Sequence, residues 1–197
     1  MKLIIDRAAL LKPLAHVQSV VEKRNTIPIL SNVLLRADSD RLALTATDMD
    51  IDVVEEVGAE VSQPGATTVA AHTLYDIVRK LPEGAQIELT EEDGGNRLTV
   101  RAGRSTFSLA TLPTEEFPAL SDGELPHNFM LQAGELKAMI DRTRFAISTE
   151  ETRYYLNGIY LHAVEADGKL KLRAVATDGH RLARAEVEAP AGSEGMP

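Results

Sequence analysis

Apolar positions along the chain follow two rhythms, one of period 3.6 and one of period two. Leu3-Ile4-Ile5 opens the chain as a short apolar run, and Asp6 is placed to cap a following helix. Leu10, Leu11, Leu14, Val17, Val20 and Val21 then recur at helical spacing. Residues 7–22 are therefore predicted as an amphipathic helix, which Pro13 should bend or locally break. Alternation takes over next. Val33 and Leu35, then Leu42, Leu44 and Ala46, then Ile51, Val53 and Val57 mark a three-strand antiparallel meander. Its turns fall at Asp38-Ser39-Asp40 and Asp48. After a break at Pro64-Gly65, Thr67-Thr68-Val69 is a strand. Leu74, Ile77, Val78 and Leu81 stripe a second helix over 72–81, stopped by Pro82-Glu83-Gly84. Residues 86–90, 97–101 and 105–110 form a second meander, with turns at Asp93-Gly94-Gly95-Asn96 and Gly103. Residues 111–126 hold Pro113, Pro118 and Pro126 with little periodicity and read as a linker.

The first stretch is thus β-α-βββ twice over, and the chain then starts again. Leu3, Leu10 and Leu14 align with Phe129, Leu136 and Ile140 at a constant offset of 126. Leu30-Ser31-Asn32-Val33-Leu34-Leu35 falls on Leu156-Asn157-Gly158-Ile159-Tyr160-Leu161 at the same offset. Ala46-Thr47-Asp48 falls on Ala176-Thr177-Asp178 at an offset of 130, the difference sitting in the turn around Glu165–Lys169. This predicts an α+β chain of repeated β-α-βββ units, with one domain over 1–122 and a second over 127–197. The second unit ends early by comparison, so a fragment or truncated product is expected.

Composition narrows the chemistry. With 44% hydrophobic and 26% charged residues the 197-residue chain is an ordinary globular one. It has no Cys, which excludes disulfides and thiolate metal sites or catalysis. Neither a signal peptide nor an 18-residue apolar span is visible, so no membrane association and a cytoplasmic location are expected. The net charge of −9 argues globally against nucleic acid, but the charge is unevenly distributed. The predicted helical stretches 7–25, 72–80 and 133–147 carry nine basic and four acidic residues, against 12 and 26 elsewhere. Helices sharing one face would make it electropositive on an acidic body, suited to phosphate. Lys and Arg are good helix formers in any case, yet Glu is equally good and is scarce in these helices.

The motifs do not read as an enzyme. Thr177-Asp178-Gly179-His180-Arg181-Leu182 is the densest polar cluster, and Asp178 with His180 invites comparison with a catalytic pair. Asp-Gly between strands is first a tight turn, and His180 has no second His at ligand spacing. Neither a nucleophile elbow, a zinc-protease helix nor a phosphate-binding loop sequence occurs. Asp48 with Asp50, and Glu55 with Glu56, read as solvated charge rather than a metal site. Arg153-Tyr154-Tyr155 suggests stacking or phosphate contact, with strand packing of the tyrosines as the alternative.

Arg153-Tyr154-Tyr155-Leu156-Asn157-Gly158, followed by Ala176-Thr177-Asp178-Gly179-His180-Arg181-Leu182-Ala183, closely resembles the bacterial DNA polymerase III sliding clamp, the beta subunit of the replicative polymerase. Leu11-Lys12-Pro13-Leu14, Thr26-Ile27-Pro28-Ile29-Leu30 and Leu81-Pro82-Glu83-Gly84 agree with it. The resemblance implies a clamp fold with antiparallel sheets outside and helices lining an inner face. It implies three domains per protomer, of which the third is absent here, and a head-to-tail homodimer ring around double-stranded DNA. No catalysis and no cofactor or metal go with it. The implied partners are the replicative polymerase and clamp-loader subunits, bound through short peptide motifs. The implied DNA contacts match Arg24 and Tyr155, and a third family position, an Arg, is His72 here. Lys12, Arg79, Lys80, Lys137, Arg142 and Arg144 join them as the basic helical face. The implied partner-peptide pocket matches Leu156, Thr177, Gly179, His180, Arg181 and Leu182, its other walls lying outside this sequence. Leu156 and Leu182 could instead simply close the domain core. An enzyme built on Asp178 and His180, or a stand-alone peptide-binding module, are the competing classes.

Overall fold

The computed structural model describes residues 1–22, 26–92, 94, 96–118 and 126–196, and divides into two compact units, 1–121 and 122–197. The predicted residues Lys23, Arg24, Asp93 and Gly95, and linker positions 119–125, lie outside the described residues.

Unit 1 begins with strand β1 (Lys2–Asp6) and helix α1 (Arg7–Val17). Asp6 caps α1 as expected, its Oδ1 accepting from Ala8 N at 2.8 Å and Ala9 N at 3.4 Å. The helix is shorter than its apolar stripe. It stops at Val17 because side chains take the last carbonyls: Ser19 Oγ donates to His16 O at 2.6 Å. It also runs on across Pro13 without the local break that was one of the two expected outcomes there. Proline removes one ladder bond, and that loss is carried by the burial of Leu10, Pro13, Leu14 and Val17. A 3-10 turn, Pro28–Ser31, leads into the meander β2 (Asn32–Asp38), β3 (Arg41–Thr47) and β4 (Asp52–Gly58). The next strand, β5 (Glu60–Gln63), is absent from the sequence reading. The second repeat follows as β6 (Gly65–Ala70), α2 (Ala71–Lys80), β7 (Gln86–Glu91), β8 (Arg97–Ala102) and β9 (Ser105–Ala110).

The two repeats exchange their leading strands. β1 pairs with β7, the first strand of the second meander, giving a sheet of order β5-β1-β7-β8-β9. β6 pairs with β2, giving a sheet of order β4-β3-β2-β6. Every ladder is antiparallel. Register sets Leu3 against Leu89 and Val33 against Val69, so neither repeat can close its sheet alone. The fully buried Leu10, Leu14, Leu35, Leu44, Leu74 and Leu98 form part of the one core that results.

Among its described residues unit 2 holds one α-helix and one meander: α3 (Ala133–Thr143), β10 (Tyr160–Ala166), β11 (Lys169–Thr177) and β12 (Leu182–Glu188), the strands in sheet order β10-β11-β12. α3 ends four residues before the predicted 147. Thr143 Oγ1 donates to Met139 O at 2.8 Å, and the chain tightens into the 3-10 turn Arg144–Ala146. The expected leading strand around Phe129 does not form, because in unit 1 that strand pairs with the other repeat's meander. The core is small, with Met139, Leu172, Ala174 and Ala185 buried. Leu136 and Ile140, the counterparts of the fully buried Leu10 and Leu14, remain 38% and 40% exposed beside an apolar hollow of 310 Å³. Among the described residues no helix is long and apolar enough to cross a membrane.

Candidate functional site

The internal repeat is repeated in hydrogen bonds. At the end of β11, Thr177 Oγ1 accepts from Gly179 N at 3.1 Å, and Asp178 Oδ1 accepts from His180 N and Arg181 N, both at 3.0 Å. At the end of β3, Thr47 Oγ1 accepts from Met49 N at 2.9 Å, and Asp48 Oδ1 accepts from Asp50 N at 3.0 Å and Ile51 N at 2.7 Å. The third residue is left-handed in both turns, φ 87° at Gly179 and 83° at Met49. The sequence offset of 130 therefore describes one turn built twice.

In unit 2 this turn meets a second short element, the 3-10 helix Glu151–Leu156. The tyrosines do not pack on a strand. Tyr154 and Tyr155 are 78% and 71% exposed on this helix, their rings edge to face at 5.8 Å. Leu156 ends it and is half-buried, and its carbonyl accepts from Ser148 N at 3.0 Å. Leu182, which opens β12, is 65% exposed, so it does not close the core. Thr177 Oγ1 also donates to Arg181 O at 2.8 Å, tightening the turn from inside. Arg181 Nε binds Asp178 Oδ2 at 2.9 Å, and its guanidinium lies 5.6 Å from the centre of the exposed Phe145 ring. The two backbone N–H groups of Arg181 and His180, aided by the Arg181 side chain, hold the Asp178 carboxyl well below its usual value, at about 2.

That geometry is unsuited to catalysis by Asp178 and His180. Asp178 spends its oxygens on backbone N–H groups and on Arg181, and it meets His180 through the His180 backbone rather than its ring. What the arrangement offers is an exposed apolar residue and a half-buried one beside a rigid polar turn, a surface for an apolar anchor with polar edges.

The basic positions are sorted by the structure. In unit 1, α1 and α2 pack together and both expose cations. Arg7, part of the basic count, is turned inward: Nε donates to Val78 O at 3.0 Å and Nη2 to Arg79 O at 2.7 Å, capping the negative end of α2. Arg79 pairs with Asp76 at 3.1 Å and lies over the Tyr75 ring. In unit 2, Lys137 and Arg144 share Asp141. Lys12, Lys80 and Arg142 are exposed and make no ion pair among the described residues. His72 points one ring nitrogen, Nε2, at the Val21 carbonyl 2.9 Å away, a role that its sequence position did not disclose. Arg24 lies outside the described residues. Among the described residues no His, Asp and Glu side chains gather as a metal site.

Comparison with known structures defines the class as the sliding-clamp fold. A Caulobacter crescentus beta sliding clamp, solved with polyethylene glycol bound to its putative beta-motif tethering region, superposes with a TM-score of 0.97 at 58% identity, over 100% of this chain and 52% of that one. A Bartonella birtlesii sliding clamp bound to griselimycin superposes with a TM-score of 0.95 at 50% identity, over 100% and 52%. Beta sliding clamps of Caulobacter vibrioides and Escherichia coli are 58% and 45% identical, over 100% and 93% of this chain and 53% and 49% of theirs. The family models for the N-terminal and central domains of the DNA polymerase III beta subunit match residues 1–121 and 130–196. The chain belongs to the DNA polymerase III beta-subunit family, and it spans about half the length of the relatives it matches.

Proposed function

We propose that the protein is a non-catalytic processivity factor, a sliding clamp that encircles double-stranded DNA and tethers the replicative polymerase. Residues 1–122 act as its first domain and 127–197 as part of its second, in a homodimeric ring in the cytoplasm. The observation that carries the reading is one short helix and one turn in unit 2. Tyr155 is exposed and Leu156 half-buried on the helix, Leu182 is exposed just after the turn, and Arg153 links helix to turn, in a chain matching both clamp domains.

Tyr155, Arg24 and the helical cations Lys12, Arg79, Lys80, Lys137, Arg142 and Arg144 face DNA. They contact phosphate without reading base edges, which gives the weak, salt-sensitive, sequence-independent association that sliding requires. His72 serves the same face through Val21 rather than as a second Arg. Leu156, Thr177, Gly179, His180, Arg181 and Leu182 form the floor of a pocket for short peptide motifs of the polymerase and clamp-loader subunits. The griselimycin-bound relative supports a ligand-binding role for this family. Ring closure is supported by β9, which edges its sheet without an outer partner among the described strands, beside a 420 Å³ hollow lined in part by Ile77, Leu81 and Phe107. Calorimetry with griselimycin on the whole gene product tests the pocket. Binding should be lost in Leu182→Asp with the fold intact, and unchanged affinity would refute the assignment.

A further inference from the structure

One side chain joins the two elements of the unit 2 site. Arg153 Nε binds Glu150 Oε2 at 3.0 Å, and Nη1 donates to Asp178 O at 3.4 Å. The same Nη1 lies over Gly179, where an added Cβ would come within 3.1 Å of it. Arg153 is also where the Glu151–Leu156 helix kinks, with φ −114° and ψ 47°. With its nitrogen facing inward, the Asn157 side-chain amide donates to Arg153 O at 3.2 Å and to Ser148 O at 2.9 Å. The kinked residue is thus held at its backbone by Asn157 and at its guanidinium by Glu150 and the Asp178–Gly179 turn. Tyr155 lies two residues on, and Leu156 three.

We propose that Arg153 is a positioning residue that couples DNA engagement at Tyr155 to ligand occupancy of the Leu156–Leu182 floor, each ligand tightening the other. The proposal rests on the two surfaces assigned above. The joint is marginal: the Glu150 pair is solvent-exposed and the bond to Asp178 O is long. A ligand on either surface needs the helix and the turn in register. Whichever binds first bears the cost of ordering the joint and spares the second, which is positive coupling without a large movement. Because Nε and Nη1 serve different partners at once, the planar fork is required, and lysine cannot replace it.

The test is a coupling measurement on the whole gene product, with griselimycin and a 20-base-pair duplex of arbitrary sequence as probes. In the wild type the duplex should tighten griselimycin about fivefold, and griselimycin should tighten the duplex by the same factor. In Arg153→Ala the factor should fall to about one while both probes still bind. Arg153→Lys, the milder change, should behave the same way with an unaltered circular-dichroism spectrum. A wild-type factor of one, or a factor that survives Arg153→Ala or Arg153→Lys, overturns the proposal. Griselimycin binding that ignores Leu182→Asp marks a different failure, that of the pocket assignment itself.

Discussion

Gly179→Ala probes the turn on which the partner surface is built. Two costs can be separated. A left-handed conformation costs an L-residue roughly 1–2 kcal/mol, and φ at Gly179 is 87°. Alanine reduces the freedom of the unfolded chain, which returns about 0.4–1 kcal/mol. The net backbone cost is therefore about 1 kcal/mol. The second cost is steric: the new methyl meets Arg153 Nη1 at 3.1 Å. A guanidinium at the end of a flexible chain moves aside, forfeiting its bond to Asp178 O, which at an exposed and long geometry is worth about 0.5 kcal/mol or less. Gly179→Ala should thus lower the stability of unit 2 by about 1–1.5 kcal/mol, read as a shift in urea midpoint at constant slope. In an Arg153→Ala background the steric part should vanish and the backbone part remain. Met49, at φ 83° in the duplicate turn, shows that a residue with a side chain can hold this position, as Ser39 and Asp167 hold positive φ elsewhere. A neutral or stabilising Gly179→Ala would refute the reasoning.

The Asp178 carboxyl, lowered to about 2 from 3.8, contributes stability that is present above 3.8 and is lost as pH falls through 2. Urea midpoints of wild type and Asp178→Asn should differ at neutral pH and converge across that window, and a gap constant down to pH 2 would count against it. Leu14→Ala should cost about 2–5 kcal/mol, since Leu14 is fully buried in the unit 1 core. Ile140→Ala, at the matching position but 40% exposed, should cost well under half as much in this 197-residue chain by the same urea assay.

The local rules that made much of this fold legible are also those that hid its remainder. Period-two alternation placed β2, β3 and β4, because Val33, Leu35, Leu42, Leu44 and Ala46 are buried at alternate positions and Val53 and Val57 partly so. It could not place β5, a four-residue strand in which only Val61 is even partly buried, so no pattern stands out from its polar neighbours. Both helices that were predicted too long, α1 and α3, end where Ser19 and Thr143 bond backward to carbonyls, a local competition that apolar spacing does not record. The exchange of β1 and β6 between sheets is non-local and invisible to any window. The Asp178 turn was legible because Asp-Gly after a strand has few other uses, and its copy at Asp48 confirms the repeat in hydrogen bonds. The link from Arg153 to that turn joins residues 25 apart in sequence and has no local signature. The inward use of Arg7 shows that counting charge on a helix does not tell which charges face solvent.

The central claim is topological, and one measurement addresses it directly. The whole gene product, loaded on a nicked circular duplex and washed at moderate salt, should stay bound with no preference for sequence. Cutting the circle once should release it within the time needed to slide to an end. Retention that survives linearisation, or equal loss from circular and linear DNA, would contradict a sliding ring.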